Sequence, residues 1–253
     1  MSAAGEPRGA AGQRPAAVAR IGVILPTSNR MIEPQLPHYA PVNLGVHFAR
    51  AQLTGRWRKP VAELVPEVAR AAITLADARP DLIVFNCTST SMKEGAAGDA
   101  RLLAAIRDAT GIEALSTAGA IVDALAALRL RRIVLITPYV QATNDHESAY
   151  FREMGIDVVH DVALGLSGGD EFIQVPAQRW IELALANDRP DSDGFLLACT
   201  NTTQIDAIDA IEEATRKPVV NSNQAVLWAA VRHLRTRVSA LAPGHVPGCL
   251  NFV

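Results

Sequence analysis

The sequence predicts an α/β fold of two halves related by a pseudo-twofold axis, each with a central parallel sheet flanked by helices. The main observation is a repeat, since residues 81–90 (DLIVFNCTST) recur as residues 193–202 (DGFLLACTNT) 112 positions later. The same offset relates residues 20–26 (RIGVILP) to residues 132–138 (RIVLITP). Apolar runs of strand length also alternate with amphipathic segments, as in parallel sheets wrapped by helices. Because the period is far longer than that of a solenoid repeat, it indicates one duplicated half.

The N-terminal half is predicted over residues 20–129, after a disordered leader over residues 1–19 that is rich in Ala, Gly, Pro and Arg. A short helix should follow the first strand, because polar residues can cap its start and Pro34 and Pro37 limit its length. The other predicted elements are strand 21–25, extended segment 42–53, helix 60–78, the strand that leads to Cys87, helix 99–109, strand 114–116 and helix 118–128.

The C-terminal half is predicted over residues 130–236. Residues 237–253 contain two Pro-Gly pairs and are predicted to form a loose tail, in which Cys249 is incidental. A glycine-containing loop at residues 166–170 does not fit the dinucleotide-binding spacing, so no nucleotide site is expected. The predicted elements of this half are strand 133–137, a helix near 144–154, strand 157–164, helix 177–185, the strand that leads to Cys199, helix 204–214, strand 219–221 and helix 224–234.

Composition narrows the classes of function. Of the 253 residues, 49% are hydrophobic and 20% are charged, as in an ordinary globular enzyme. A net charge of −2 gives no electrostatic argument for nucleic acid or an anionic membrane as a partner, and no apolar run is long enough to span a bilayer. Three cysteines do not make a disulfide framework, so a cytoplasmic location is expected. The sequence is compatible with a homo-oligomer as well as with a monomer.

Cys87 and Cys199 are the candidate catalytic residues, because each follows a buried strand at equivalent positions of the repeat. Ligands of open α/β sheets bind beyond the carboxyl ends of the strands, where helix N-termini offer N–H groups and a partial positive charge. Such a position is expected to lower the pKa of a thiol and to favour a bound carboxylate. Neither cysteine has His, Asp or Glu beside it at a ligand spacing, so no metal is expected. The neighbouring candidates for carboxylate binding are Thr88, Ser89, Thr200 and Asn201.

Two opposed thiols suit three reactions at a carbon next to a carboxylate. One thiolate can remove an α-proton while the other thiol delivers a proton to the opposite face. One thiolate can instead add to an activated double bond, allow rotation about the resulting single bond, and then leave. A thiol can also protonate the enolate that remains after loss of carbon dioxide. All three reactions need a pocket that stabilises negative charge on carboxylate oxygens.

Structural interpretations compete with these roles. A lone cysteine at the end of an apolar strand is more often a core residue than a nucleophile, and it is the repetition with matching threonines that favours catalysis. Tyr139 follows a strand and is either a core residue or a donor into the cleft. Asn29 is either a helix cap or a carboxylate contact.

These residues resemble the aspartate/glutamate racemase superfamily, a cofactor-independent group with two pseudo-symmetric, flavodoxin-like halves and cysteines that face one cleft. Residues 26–29 (PTSN) are similar to the Pro-Ser-Ser-Asn start of maleate cis-trans isomerases. That resemblance implies a carboxylate contact for Asn29, a nucleophilic role for Cys87, a donor role for Tyr139 and a proton-donor role for Cys199.

Arylmalonate decarboxylases resemble the chain as well. Their Gly-Thr-Ser motif is similar to residues 87–89 (CTS), and their second-half motif is similar to residues 192–199 (SDGFLLAC). That resemblance implies an oxyanion pocket made by Tyr139 and the two hydroxyl residues of the first motif, with Cys199 as the proton donor. Because these decarboxylases have glycine where this chain has Cys87, the second thiol favours isomerase or racemase chemistry.

The resulting hypothesis is a cofactor-independent isomerase, either a cis-trans isomerase or a racemase, that acts on a small carboxylate or dicarboxylate. A maleate-type isomerase is the leading form of this hypothesis. An arylmalonate-type decarboxylase is the alternative within enzymes. Outside enzymes, the alternative is a sensor of small carboxylates, although a sensor has no need of matched thiols.

Overall fold

The computed structural model describes residues 16–55 and 58–253, so residues 1–15 of the predicted leader lie outside the described residues. Ala19 is already part of the first strand and is fully buried. The ordered fold therefore begins slightly before the predicted boundary at residue 20. None of the helices in the described ranges is long and apolar enough to cross a membrane.

The strands of the described chain form two four-stranded sheets in which all neighbours are parallel. They are β1 (Ala19–Pro26), β2 (Leu44–Ala51), β3 (Leu82–Phe85), β4 (Ala114–Ser116), β5 (Arg132–Thr137), β6 (Asp157–Ala163), β7 (Gly194–Leu197) and β8 (Val219–Asn221). The strand orders are β2-β1-β3-β4 and β6-β5-β7-β8, so the two sheets have the same topology. Central strands such as β3 (LIVF) are apolar throughout because both of their faces are buried. The predicted α/β class and its two equivalent halves are confirmed.

The helices show the amphipathic patterns expected of elements that cover a sheet. They are α1 (Ile32–Tyr39), α2 (Val61–Ala76), α3 (Thr88–Met92), α4 (Gly95–Thr110), α5 (Thr117–Ala127), α6 (Gln141–Glu153), α7 (Gly169–Gln174), α8 (Ala177–Ala186), α9 (Ile208–Thr215) and α10 (Ser222–Arg235), with 3-10 helices at Gln204–Ala207 and Cys249–Phe252. In α2, for example, buried residues recur every three or four positions, as in Val61, Leu64 and Val68.

The 112-residue offset is visible in the register of the strands. Ile21 pairs with Leu82 across β1 and β3, and the residues 112 positions later, Ile133 and Gly194, pair across β5 and β7. The short strands β4 and β8 begin and end where the sequence predicts. The duplication therefore extends from the sequence to the hydrogen-bonding pattern of the sheets.

Helices α5 and α10 pack against each other between the two sheets. Each of them contacts strands of both halves. Helix α5 contacts β4 and β8, and helix α10 contacts β3 and β8. One apolar cluster drawn from both halves fills this central layer, while α2 and α4 cover the outer face of the first sheet and α8 and α9 that of the second. Because the central layer joins the halves, the turns after β3 and β7 meet at one cavity.

Two predicted segments differ in local structure. The predicted loop at 166–170 runs into the short helix α7. The predicted helix 204–214 starts as a 3-10 turn and becomes α-helical only at Ile208. Thr202 Oγ1 donates to Gln204 Oε1 at 2.9 Å, and such local side-chain bonds compete with helical ones. The residues between Cys199 and Gln204 are therefore not helical, whereas Cys87 is followed directly by the short helix α3, which the sequence did not predict.

Residues 237–253, predicted as a loose tail, pack against the C-terminal half. Leu241 and Leu250 are buried, and Gln224 Nε2 donates to the carbonyl of Pro247 at 2.7 Å. The only regular structure of this segment in the described residues is its terminal 3-10 helix. The segment is therefore irregular but anchored, because its apolar residues complete the central layer.

Candidate active site

A cavity of about 690 Å³ lies at the carboxyl ends of the two sheets, where open α/β folds bind ligands. The turns after β1, β3, β5 and β7 all contribute to its wall. All of the residues predicted for the site line it, namely Asn29, Cys87, Thr88, Ser89, Tyr139, Cys199, Thr200 and Asn201. The structure thus brings the predicted residues together, whereas their chemical roles remain predictions.

Cys87 lies at the N-cap of α3 and is 3% exposed. Its Sγ donates to Thr90 Oγ1 at 3.0 Å. Burial raises the pKa of Cys87, while hydrogen bonds from Thr90 and Ser89 and the charge of Arg58 oppose that rise. The expected lowering of this thiol's pKa is therefore wrong, because α3 has five residues and its dipole does not outweigh desolvation.

Cys199 follows β7 and is equally buried, but it has a different environment. Its Sγ accepts a hydrogen bond from the backbone N–H of Asn201 at 3.4 Å. Burial raises the pKa of Cys199 to about 12, even though a hydrogen bond from Tyr139 partly opposes the rise. This cysteine is therefore a neutral thiol at neutral pH, which suits a proton donor better than a nucleophile.

Tyr139 lies directly after β5, where its backbone N–H donates to Thr137 Oγ1 at 3.1 Å. Its ring packs edge-on against Phe172 of α7, with 5.6 Å between the ring centroids. Burial raises the pKa of Tyr139 well above its usual value, and the neighbouring Cys199 adds to the rise. Both interpretations made from the sequence thus have support, since the ring is buried and the neutral hydroxyl remains available as a donor at the cavity.

Asn29 serves the start of α1 and also connects the two halves. Its Oδ1 accepts hydrogen bonds from the backbone N–H groups of Met31 and Ile32 at 3.0 and 3.1 Å. Its Nδ2 donates to the carbonyl oxygen and to Oγ1 of Thr200, both at 3.1 Å. Asn29 thus supports the turn that leads into α1, whose N-cap residue is Met31, and a carboxylate contact requires that Nδ2 exchange one of its bonds to Thr200.

The hydroxyl and amide residues next to the cysteines also bridge the halves. Thr88 Oγ1 donates to Ser222 Oγ at 3.0 Å at the start of α10. Asn201 Oδ1 accepts from the backbone N–H of Arg30 at 2.9 Å, and its Nδ2 donates to the carbonyl of Gly169 at 3.4 Å. Ser89 is half-buried at the cavity wall. Each cysteine turn is thus fixed in part by the opposite half.

Gln35 and Asn223 support the site although the sequence prediction did not identify them. Asn223 Nδ2 donates to Gln35 Oε1 at 2.6 Å and to the carbonyl of Thr200 at 3.1 Å. Gln35 Nε2 in turn donates to the carbonyl of Thr202 at 2.9 Å. The polar run at residues 221–224 (NSNQ), which forms a capping box at the start of α10, is the signal that could have located Asn223.

The cavity wall also has an apolar side and a basic residue that were not predicted. Val140, Leu166 and Phe172 are the apolar residues of the wall, and the exposed Arg58 is its basic residue. Within residues 16–55 and 58–253, no three His, Cys, Asp or Glu side chains cluster closely enough to hold a metal ion. The arrangement offers two thiols, several hydrogen-bond donors and one guanidinium to an anionic ligand.

Glu147 is a buried acid beside the site that sequence reasoning also missed. It lies on the inward face of α6, one turn beyond Thr143, which lines the cavity. In the described part of the chain neither carboxyl oxygen has a hydrogen-bond partner, and burial raises the pKa of Glu147 well above its usual value. The repeat-equivalent residue, 112 positions earlier, is the amide Gln35. A neutral side chain is therefore expected at both positions.

Glu147→Gln is expected to stabilise the protein increasingly as the pH rises above about 5. The folded protein keeps this carboxyl protonated, whereas the unfolded chain releases the proton above its ordinary pKa of about 4.3. Each further pH unit, up to the raised folded-state pKa, costs the wild type about 1.4 kcal/mol in free energy of unfolding, or about 3–6 °C in Tm. Thermal melts between about pH 4 and pH 8 should show a widening gap between the two proteins.

The exposed Glu213→Gln on α9 is the matched control, and its Tm difference from the wild type should not depend on pH in this way. A constant difference for Glu147→Gln across the same range would contradict the assignment of Glu147 as a buried neutral acid.

The chain is similar to two groups of known enzymes. A family model described as arylmalonate decarboxylase matches residues 21–246. The chain is 35% identical to the arylmalonate decarboxylase of Bordetella bronchiseptica over 147 residues, which are 57% of this chain and 61% of that protein. It is 26% identical to the maleate isomerase of Nocardia farcinica over 241 residues, which are 90% of this chain and 95% of that protein.

Structural comparison gives the same two-half fold. The crystal structure of a maleate isomerase from Pseudomonas putida S16 with maleate has a TM-score of 0.80 and 26% identity, covering 92% of this chain and 97% of that one. The resemblance stated from the sequence is thereby confirmed. The chain belongs to the arylmalonate decarboxylase family, in the branch of the aspartate/glutamate racemase-like superfamily that also contains maleate isomerases.

Proposed function

We propose that the protein is a cis-trans isomerase of a small unsaturated dicarboxylate, of the maleate type. The observation that carries this proposal is the pair of thiols, Cys87 and Cys199, at repeat-equivalent positions of one cavity. A decarboxylase needs one proton donor, whereas addition to a double bond needs a nucleophile as well. Relatives named as maleate isomerases, which align with most of the chain, support the same choice.

In the proposed reaction, Cys87 first releases its proton to solvent and becomes a thiolate. Thr90, Ser89 and Arg58 stabilise this thiolate, which then adds to one carbon of the double bond. The electron pair moves to the adjacent carbon and into its carboxylate, and rotation about the new single bond follows. Collapse of the electron pair then restores the double bond and expels the thiolate. Cys199 is the neutral thiol whose S–H group hydrogen-bonds to the carbanion carbon and stabilises it without giving up its proton, as its raised pKa of about 12 allows.

The proposed carboxylate contacts come from both cysteine turns. Thr88 and Ser89 would hold one carboxylate and Thr200 and Asn201 the other, with Asn29 and Tyr139 as further donors. Donors fixed before the substrate binds stabilise the enolate without reorganisation, and the bonds between the halves provide that fixation.

Incubation with maleate in heavy water, followed by proton NMR, tests this function. Fumarate with both vinylic protons retained is expected, because addition and rotation exchange no carbon-bound hydrogen. Deuterium in the product would instead indicate complete proton transfer through Cys199. Unchanged maleate after prolonged incubation with folded protein would contradict a maleate-type isomerase.

An arylmalonate-type decarboxylase is the second candidate, and the size of the cavity favours it. Pockets for drug-sized ligands measure about 300–1,000 Å³, and this cavity of about 690 Å³ exceeds what a four-carbon diacid requires. Its apolar side at Val140, Leu166 and Phe172 could hold an aromatic ring. Release of carbon dioxide from phenylmalonate, with maleate left unchanged, would select this function.

A further inference from the structure

A small cationic annex adjoins the active-site cavity. Its volume is about 40 Å³, and we define it by the basic residues Arg58, Lys59, Lys93 and His146. Ser89, Thr143 and Arg58 line both the annex and the main cavity, so the two spaces are direct neighbours. Among the described residues that line either space, none is Asp or Glu.

The basic side chains of the annex are not neutralised by acids within the described chain. None of the four forms a salt bridge there. Lys93 is half-buried, and its Nζ donates to the carbonyl of Lys59 at 3.0 Å, which orients the ammonium group. Because the whole chain has a net charge of −2, this concentration of positive charge is local. A cleft lined by one sign of charge attracts ions of the opposite sign.

Basic residues on a protein surface are usually solvated and bind no ligand. These four, however, come from separate parts of the chain and meet at one space. Arg58 and Lys59 precede α2, Lys93 follows α3, and His146 lies on α6. All four line the annex, which lies beside Ser89 at the turn that carries Cys87. The position of these four basic residues therefore indicates a role in binding the ligand of the cavity, rather than a general surface charge.

We infer that the annex binds a carboxylate on a branch of the substrate, in addition to the carboxylates held beside the thiols. This inference rests on the proposed function in taking the thiol-lined cavity as the substrate site. The annex has room for a terminal group but not for a second molecule, since a water molecule in the liquid already occupies about 30 Å³. The substrate class is accordingly an unsaturated dicarboxylate with a third, branching carboxylate.

Binding of two unreactive probes tests the assignment without turnover. Tricarballylate is succinate with a carboxymethyl branch, and ethylsuccinate has the same skeleton with a neutral end to that branch. Calorimetric titration of the wild type is expected to give about tenfold tighter binding of tricarballylate, since two exposed ion pairs give at most about that factor. The preference should shrink as salt screens the charges.

The double variant Lys59→Gln/Lys93→Gln is expected to lose most of this preference and to keep its affinity for ethylsuccinate within about threefold, because both lysines line the annex and neither lines the main cavity. Lys59→Gln, a change at an exposed loop position, should weaken tricarballylate binding about threefold and serves if the double variant does not fold. Arg107→Gln is the matched control, because it removes the same charge from an exposed position roughly 18 Å along α4 from Gly95.

Equal affinity of the wild type for the two probes would overturn the annex assignment, as would an equal loss for both probes in the double variant. Either result leaves the isomerase proposal in place, because that proposal is measured separately by conversion of maleate. Conversely, a tricarballylate preference that depends on Lys59 and Lys93 supports the annex even if maleate is not turned over.

Discussion

Cys199→Ala is expected to lower kcat by about 10²–10⁴-fold, the usual contribution of a positioned proton donor. The thiol is buried, its pKa is raised to about 12, and it is the neutral donor in both candidate reactions. The loss should therefore appear with maleate and with phenylmalonate alike. Steady-state rates on both substrates, with circular dichroism to verify folding, measure the effect.

Cys249→Ala is the control for removal of a thiol. Cys249 lies outside the cavity, and its Sγ donates to Glu212 Oε1 at 3.2 Å. This variant should keep its activity on whichever substrate the wild type converts. Full activity of a folded Cys199→Ala protein would remove the proton-donor assignment from both mechanisms.

Cys87→Ala is expected to abolish isomerisation of maleate, because the nucleophile that forms the covalent adduct is missing. The fall should reach the detection limit, since Cys199, the other cysteine that lines the cavity in the described chain, is a neutral thiol whose pKa is raised to about 12. Proton NMR of maleate conversion by folded variant and wild type gives the comparison.

The same variant separates the two candidate functions. A decarboxylase needs Cys199 alone, so release of carbon dioxide from phenylmalonate should survive the loss of Cys87. If Cys87→Ala retains isomerisation, the first thiol is only a buried side chain at the end of β3.

The fold could be predicted because its main signals are local. The strands β3 and β7, which contain Val84 and Leu196, are apolar on both faces. The repeat indicates which strands of the two halves are equivalent. The short helix α3 directly after Cys87 could not be predicted, since its sequence resembles the non-helical turn after Cys199. At that second turn the carbonyl of Thr200 accepts hydrogen bonds from Asn29 of the opposite half and from Asn223 of its own half, and these bonds accompany the different geometry.

The candidate site was predictable where it coincides with the repeat. Cys87 and Cys199 occupy matching strand ends, so their neighbours could be assigned to one cavity. Arg58 and Glu147 have no such marker, because a single charged residue in a loop or helix resembles an ordinary surface residue in sequence. Only the folded chain shows that Glu147 is buried and that Arg58 faces the cavity.

The shared register of the two sheets has a consequence for how the site can change. A twofold assembly of identical subunits with a site on its axis repeats every substitution on both sides of that site. Here the two copies are covalently joined, so each side accepts substitutions separately. Ser89 and Asn201 occupy matching positions at the cavity wall, yet Ser89 is a short hydroxyl residue next to Cys87, whereas Asn201 is an amide that also binds Arg30 and Gly169. One symmetric site has thereby become asymmetric, as the two ends of a reacting molecule require.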